Sequence, residues 1–167
     1  PECPGPLLYK KAPPGLKSSR EGSVVKIREI MTKNVIRISP EEPVAVAARI
    51  LARYNIGVLP VCGADGRLCG LVTDRDLVTR CVAAGRNPET IAVRDVMTRH
   101  MIVARPDMDS SIAAHMMGAE QIRRLPVMEN GRLCGMVSLG DLANRQESIM
   151  DAGDALSAIS SNLSERD

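Results

Sequence analysis

One short segment of the chain combines residue types that can bind a sugar-phosphate. It reads GLVTDRD and runs from Gly70, where little side-chain volume lets a ligand or another backbone come close, to Asp76. A strand is predicted to end here and a helix to begin, so the Thr73 hydroxyl and the N–H groups after it can meet an anion. The Asp76 carboxylate lies on the same side of the first turn and can accept two hydrogen bonds from a diol. The Arg75 guanidinium can donate two parallel hydrogen bonds to a phosphate. The hydroxyl, the carboxylate and the guanidinium together suit a nucleoside monophosphate.

A second segment keeps the same frame. It reads GMVSLGD from Gly135 to Asp141, with Ser138 in the hydroxyl position, but Leu139 and Gly140 replace the acid–arginine pair. An alternative interpretation is that each segment is a helix-capping box with a solvated charge cluster, copied by duplication without a function. The residues alone leave both interpretations open.

The chain is built from an internal repeat. The Met-Thr pair at Met31 recurs at Met97, 66 residues later, and RLCGLV at 67–72 recurs as RLCGMV at 132–137, 65 residues later. The missing residue falls in a predicted turn, where deletions cost little. A duplicated unit therefore occupies most of the chain.

Each copy predicts the order strand, helix, strand, strand, helix, because short alternating runs and helical spacing follow one another between turn signals. The predicted elements of the first copy are strand 35–38, helix 43–55, strands 58–61 and 68–72, and helix 74–84 closed by Gly85. Those of the second are strand 102–103, helix 110–121, strands 125–128 and 133–137 around Asn130-Gly131, and a helix from Asp141. A final amphipathic helix carries one apolar stripe, made of Ile149, Ala152, Leu156, Ile159 and Leu163. We expect it to dock on the body or on a dimer partner.

The predicted fold is α+β, an α/β sandwich of two β-α-β-β-α repeats packed about a pseudo-two-fold axis, plus the C-terminal helix. The predicted domains are a disordered Pro- and Lys-rich arm at 1–23, repeats at 24–91 and 92–145, and the helix and tail at 146–167.

Composition argues against several classes of function. The net charge is only +2 and Phe and Trp are absent, so no basic, aromatic-rich face favours nucleic acid, and RNA binding through the arm is a minor alternative. No apolar run approaches the roughly 20 residues that span a bilayer.

Five cysteines without paired spacing or a secretory signal indicate reduced thiols, a cytoplasmic location and no metal site. Ser111 and His115 lie one turn apart without an orienting acid, so we expect no catalytic residues and no enzyme.

The doubled unit, its Met-Thr motifs, its Leu-Pro-Val strands and its GLVTDRDL and GMVSLGDL endings together resemble the cystathionine-β-synthase-type (CBS) domain pair. The resemblance covers roughly residues 27–145 and is close to the small stand-alone bacterial CBS-pair proteins. It implies a homodimeric regulatory sensor that binds AMP, ADP, ATP or S-adenosylmethionine in the cleft between the repeats, with no required cofactor. The alternative is a ligand-free dimerising adaptor or scaffold for an unidentified protein partner.

The resemblance also implies site residues. In that family the hydroxyl and Asp of the shared frame hold phosphate and ribose, and the TDRD arginine contacts phosphate. The implied first site comprises Asn34, Val35 and Ile36 at the adenine edge, Val58 and Pro60 around the base, and Gly70, Thr73, Asp74, Arg75 and Asp76. The implied second site comprises Met101, Ile102, Leu125, Pro126, Ser138 and Asp141. As a separate hypothesis, either Arg123 or Arg124 points into the cleft and neutralises phosphate, the alternative being a solvated surface pair. We expect the first site to bind more strongly.

Overall fold

The computed structural model describes residues 25–164, and side chains as far as residue 161. The predicted arm at 1–23 and the side chain of Leu163 lie outside the described residues. The described chain divides into two compact units. The first unit contains residues 35–101 and 131–133, and the second contains 25–34, 102–130 and 134–164. The predicted boundaries of the repeats, 24–91 and 92–145, stay a prediction. Compact packing groups residues 25–34 with the second unit.

The elements follow the duplicated order. They are α1 Ile27–Ile30, α2 Val44–Tyr54, β1 Val58–Cys62, β2 Leu68–Thr73, α3 Asp74–Asp76, α4 Ser110–Ala119, β3 Arg124–Glu129, β4 Arg132–Ser138, α5 Leu139–Ala143 and α6 Ile149–Ser164. A π-helix at Leu77–Val82 and a 3₁₀ turn at Val93–Asp95 complete the order. The α+β class, the two repeats and the C-terminal helix are therefore confirmed.

The boundaries of α2 follow from local chemistry. Pro43 precedes its first turn, where a missing N–H costs nothing. Val44, Ala47 and Leu51 are buried on one face, and Asn55 ends the helix with a left-handed φ of 50°. The sequence prediction of a helix at 43–55 is confirmed to within a residue at each end.

Two antiparallel hairpins, β1–β2 and β3–β4, form the sheets. In the first, Val58 pairs with Thr73 and Pro60 with Leu71. In the second, Asn130 and Gly131 both have positive φ, 49° and 77°, as a tight two-residue hairpin turn requires. The hairpins predicted from turn residues are confirmed.

The predicted first strand of each repeat is shorter than expected. Ile38 makes a single parallel bridge to Val61, and Ala104 makes the equivalent bridge to Val127, so the predicted strands at 35–38 and 102–103 are not ladders. Proline follows two residues after each bridge, at Pro40 and Pro106, and its missing amide ends the pairing.

The helix that follows β2 also departs from the prediction. α3 lasts for three residues and continues as the π-helix, whereas the second copy has an ordinary α-helix, α5. The predicted end at Gly85 is confirmed by its positive φ of 65°. Short π-helical segments often occur near functional sites, and this one begins directly after Asp76.

The C-terminal helix α6 packs on α4 through small residues. A Cβ added to Gly118 would lie 3.2 Å from Ala155 Cα, and Ala152 and Ile159 are buried beside it. Ile149 and Leu156 are about half exposed, so these two residues of the predicted stripe do not dock on the body, and docking on a dimer partner stays a prediction. Small side chains let the two helix backbones approach closely, and this selects a docked face rotated from the most apolar stripe.

The C-terminal helix is also fixed by a buried polar contact. The hydroxyls of Ser110, at the start of α4, and Ser148, just before α6, lie 2.8 Å apart and hydrogen-bond. Each partner satisfies the other, so neither buried hydroxyl is left without a hydrogen bond.

Among the described helices, none has the length and apolarity needed to cross a membrane.

Candidate ligand-binding site

The first candidate site is the turn that joins β2 to α3. The Asp76 Oδ2 atom accepts hydrogen bonds from the Thr73 backbone N–H at 2.9 Å and from the Thr73 hydroxyl at 2.7 Å. The Thr73 Oγ1 atom in turn accepts from the Asp76 N–H at 3.2 Å. This is a reciprocal capping box, and it holds the carboxylate, which is mostly buried, in one orientation.

The second unit has the same arrangement. Asp141 Oδ2 accepts from the Ser138 N–H at 2.8 Å and from the Ser138 hydroxyl at 2.7 Å, and Ser138 Oγ accepts from the Asp141 N–H at 3.2 Å. The capping geometry that the alternative interpretation requires is therefore present in both units. In each unit the capping box uses only one of the two carboxylate oxygens of the aspartate, Oδ2.

The expectation that the N–H groups after Thr73 are available to an anion is wrong. The Asp74 N–H donates to the Gly57 carbonyl at 3.4 Å, and the Arg75 N–H donates to Asp74 Oδ1 at 2.7 Å. The Asp76 N–H is already bonded to Thr73. The N–H groups of the first turn therefore already have acceptors. A positive charge that attracts an anion has to come from a side chain.

Arg75 can supply that charge. It is exposed, and its guanidinium makes no hydrogen bond or ion pair with any part of the chain that the structure describes. An unpaired guanidinium keeps its forked donors for a phosphate. Asp74 is also exposed, but one of its oxygens is used by the Arg75 backbone.

The predicted base-binding residues are partly brought to the turn. The hairpin register places Val58 directly opposite Thr73, and Val58, Val35 and Ile36 are half-buried in the same unit. Pro60 is buried two residues further along β1. Asn34 is exposed and groups with the second unit, so its predicted role at the adenine edge stays a prediction.

The predicted residues of the second site divide in a similar way. Ile102, Leu125 and Pro126 are buried in the second unit, whereas Met101 groups with the first. Arg124 is exposed at the start of β3.

The two arginines before the second Leu-Pro-Val strand face solvent. Arg123 is exposed like Arg124, and its carbonyl accepts the Leu139 N–H at 3.0 Å, as the Gly57 carbonyl does for Asp74. The exposure of both side chains agrees with the solvated-pair alternative. The hypothesis that one of them neutralises a phosphate stays a prediction.

Gly70 makes room for another backbone, which is one of the two roles that the sequence predicted for it. A Cβ at Gly70 would lie 2.8 Å from the Thr98 carbonyl oxygen and 2.9 Å from Met97 Sδ. The close approach is made by backbone rather than by a ligand, because Leu71 and Thr98 exchange hydrogen bonds of 2.9 and 2.8 Å. Gly70 is therefore a packing position, and its predicted contact with a ligand stays a prediction.

The second unit repeats this contact with the other Met-Thr motif. A Cβ at Gly135 would lie 2.7 Å from Met31 Sδ, and Thr32 exchanges hydrogen bonds of 2.9 and 3.0 Å with Met136. We call residues 26–33 and 93–99 the leading segments. The leading segment of each sequence repeat thus packs on the hairpin of the other repeat.

Two arginines that follow the site aspartates in the sequence were missed by the sequence reasoning. Arg80 Nη1 lies 3.4 Å from Asp76 Oδ1 and donates to the Val96 carbonyl at 2.8 Å. In the second unit, Arg145 Nη2 donates to the Glu29 carbonyl at 3.3 Å. The available signal was spacing, since each arginine follows its site aspartate by four residues.

The cysteines do not form a described metal site. Burial raises the pKa of the Cys62 thiol, and burial followed by the charge of Glu129 raises the pKa of Cys134, so both favour the protonated thiol over a metal-binding thiolate. Cys62, Cys81 and Cys134 carry free thiols, in line with the expected reduced state. Within residues 25–161, no cluster of three His, Cys, Asp or Glu side chains could hold a metal.

Comparison with known proteins decides the family. The sequence model of the CBS domain matches this chain twice, at residues 27–83 and 93–148. The chain belongs to the CBS-domain family. The CBS pair is 39% identical over 134 residues to the CBS domain-containing protein YhcV of Bacillus subtilis, covering 80% of this chain and 94% of that protein. It is 34% identical over 116 residues to Hypoxic response protein 1 of Mycobacterium tuberculosis, covering 70% and 81%.

Solved structures agree with this assignment. Hypoxic Response Protein I, solved with two coordinated zinc ions, matches the CBS pair with a TM-score of 0.68 and 32% identity, covering 72% of this chain and 98% of that one. A hexameric CBS-CP12 protein from bloom-forming cyanobacteria matches with a TM-score of 0.67 and 28% identity, covering 77% and 71%. Both support the α+β CBS-pair fold.

Proposed function

We propose that this CBS pair is a regulatory module that binds an adenosine-containing ligand, and that AMP, ADP, ATP and S-adenosylmethionine are the candidates. The observation that carries the proposal is the recurrence of one hydroxyl–carboxylate pair, Thr73–Asp76 and Ser138–Asp141, with the same 2.7 Å hydrogen bond in both units. A fixed carboxylate at the end of a hairpin strand offers acceptors to a ribose diol.

The acceptor geometry supports this role even though the capping box is formed. A carboxylate has about four lone-pair positions on its two oxygens. Thr73 uses two of them on Asp76 Oδ2, and Ser138 does the same on Asp141 Oδ2. The Oδ1 atom of each aspartate lies outside the capping box and can accept a ligand hydroxyl, on Asp76 in competition with Arg80. The capping box then orients the acceptor rather than excluding a ligand.

The two sites differ in charge, and this supports the first as the stronger nucleotide site. Exposed Arg75 directly precedes Asp76 in the sequence, whereas Gly140 occupies the same position in the second unit. A phosphate at the first site gains a charge-assisted contact from Arg75. The second site would need Arg124 for the same purpose.

Self-association is the second part of the proposal. Val78 and Val82 on the π-helix, and Ile149, Met150 and Leu156 on α6, are large apolar side chains that are 47–66% exposed. Exposed apolar side chains of this kind often mark association surfaces. A related CBS-CP12 protein is hexameric. We propose that this chain forms a homodimer, and size-exclusion chromatography with light scattering tests the assembly directly.

A ligand-free dimerising adaptor is the competing function, and the self-contained capping boxes favour it. Thermal unfolding with AMP, ADP, ATP and S-adenosylmethionine separates the two functions. A ligand at about 100 times its Kd stabilises the folded state by ~2.7 kcal/mol, which raises Tm by several degrees. Guanosine monophosphate serves as a matched control for the base. If none of the four adenosine compounds changes Tm, the adaptor is the better description.

A further inference from the structure

Arg80 touches the candidate site and a leading segment with the same nitrogen atom. Its Nη1 lies 3.4 Å from Asp76 Oδ1 and donates to the Val96 carbonyl at 2.8 Å. Val96 is fully buried, and two residues later Thr98 pairs with Leu71 of β2. One guanidinium therefore links the site carboxylate to the backbone of the leading segment 93–99.

The oxygen that faces Arg80 is the one that a ligand would use. Asp76 Oδ2 already accepts two hydrogen bonds from Thr73. A ligand hydroxyl must therefore donate to Oδ1, where it competes with Arg80 for the same charge. The Asp76 side chain is only 11% exposed, so this competition takes place largely out of water, where such contacts matter more.

We propose that Arg80 is a positioning residue that transmits occupancy of Asp76 to the leading segment 93–99. The inference rests on the proposed function, since it names how that same site is regulated. A hydroxyl bound to Oδ1 weakens the ion pair and leaves Arg80 held by the Val96 carbonyl alone. The leading segment is then held less firmly against β2.

The second unit provides an internal comparison. Arg145 occupies the equivalent position and donates to the Glu29 carbonyl at 3.3 Å, but within the described residues it makes no ion pair with Asp141. The backbone half of the link is present there and the carboxylate half is missing. Occupancy of Asp141 should therefore not be transmitted to the leading segment 26–33.

The first test needs no ligand. Amide hydrogen exchange of Thr98, which donates to the Leu71 carbonyl, reports how firmly the segment is held. Asp76→Asn should speed Thr98 exchange by about two- to fivefold, the effect of losing one partly exposed ion pair. In an Arg80→Met background the same change should add nothing, and Arg80→Lys should restore part of the response. Asp141→Asn, measured at Thr32, is the matched control and should have no effect.

The second test adds AMP to the full chain, with calorimetry reporting binding separately. Bound AMP should speed Thr98 exchange in the native chain and leave it unchanged in Arg80→Met. The inference is overturned if Asp76→Asn leaves Thr98 exchange unaltered, or if AMP binds without changing it. If AMP fails to bind while the mutant cycle shows coupling, the proposed nucleotide function fails and the Arg80 link itself is supported.

Discussion

The Thr73 hydroxyl donates to the Asp76 carboxylate at 2.7 Å, and the same carboxylate oxygen also accepts the Thr73 backbone N–H at 2.9 Å. This double contact leaves the other oxygen, Oδ1, as the acceptor that lies outside the capping box. The local structural role and the proposed ligand role of Asp76 therefore use different oxygen atoms. They can be separated by experiment.

Asp76→Ala should weaken nucleotide binding by ~1.5–3 kcal/mol, the range for a hydrogen bond to a charged group. The same change removes half of a capping box and should lower the free energy of unfolding by about 0.5–2 kcal/mol. Calorimetry well below the Tm of the variant measures the binding loss alone. Unchanged affinity would refute the ribose assignment, and Asp141→Ala is the matched variant for the second site.

Arg75→Ala should reduce affinity for AMP while leaving affinity for adenosine nearly the same, because the exposed guanidinium is proposed to contact only the phosphate. The loss for AMP, measured by calorimetry, should be about 1.5–3 kcal/mol. The free energy of unfolding should change by less than about 0.5 kcal/mol, as expected for an exposed side chain without partners among the described residues.

The control for this prediction is Arg86→Ala, which removes another exposed arginine of the first unit. It should leave both affinities unchanged. Equal losses for AMP and adenosine in Arg75→Ala would show that Arg75 does not contact phosphate.

Gly70→Ala should destabilise the fold by about 1–3 kcal/mol, because its Cβ would lie 2.8 Å from the Thr98 carbonyl oxygen. Gly153→Ala is the matched control on α6, where a Cβ meets nothing within 4 Å and alanine favours the helix. Urea unfolding should show a lower midpoint for the first variant and an equal or higher one for the second. Equal midpoints would mean that the leading segment does not pack on β2 as described.

Ala155→Leu should destabilise the second unit by about 1–3 kcal/mol, because Ala155 is buried against Gly118 where the helices approach closely. Leu156→Ala, one residue along the helix and about half exposed, should change the free energy of unfolding much less. Denaturant titrations of both variants check the prediction. The reverse order would show that α6 docks through its more apolar stripe.

A large part of this protein could be derived from its sequence. The duplication follows from matches between two stretches of the chain 65 or 66 residues apart. The Asn130-Gly131 turn, the helix after Pro43 and the hydroxyl–carboxylate spacing follow from patterns that span only a few residues. Such patterns are informative because backbone conformation, capping and hairpin geometry depend mainly on near neighbours along the chain.

Tertiary structure decided the remaining features. Nothing local indicates that Thr98 pairs with Leu71, that its carbonyl is the backbone group for which Gly70 makes room, or that Arg80 joins Asp76 to Val96. The docked face of α6 likewise follows from close packing against Gly118 and not from the most apolar stripe. These contacts join residues distant in sequence, and their free energy depends on complementary shape and on available hydrogen-bond partners. Only the folded chain brings those partners together.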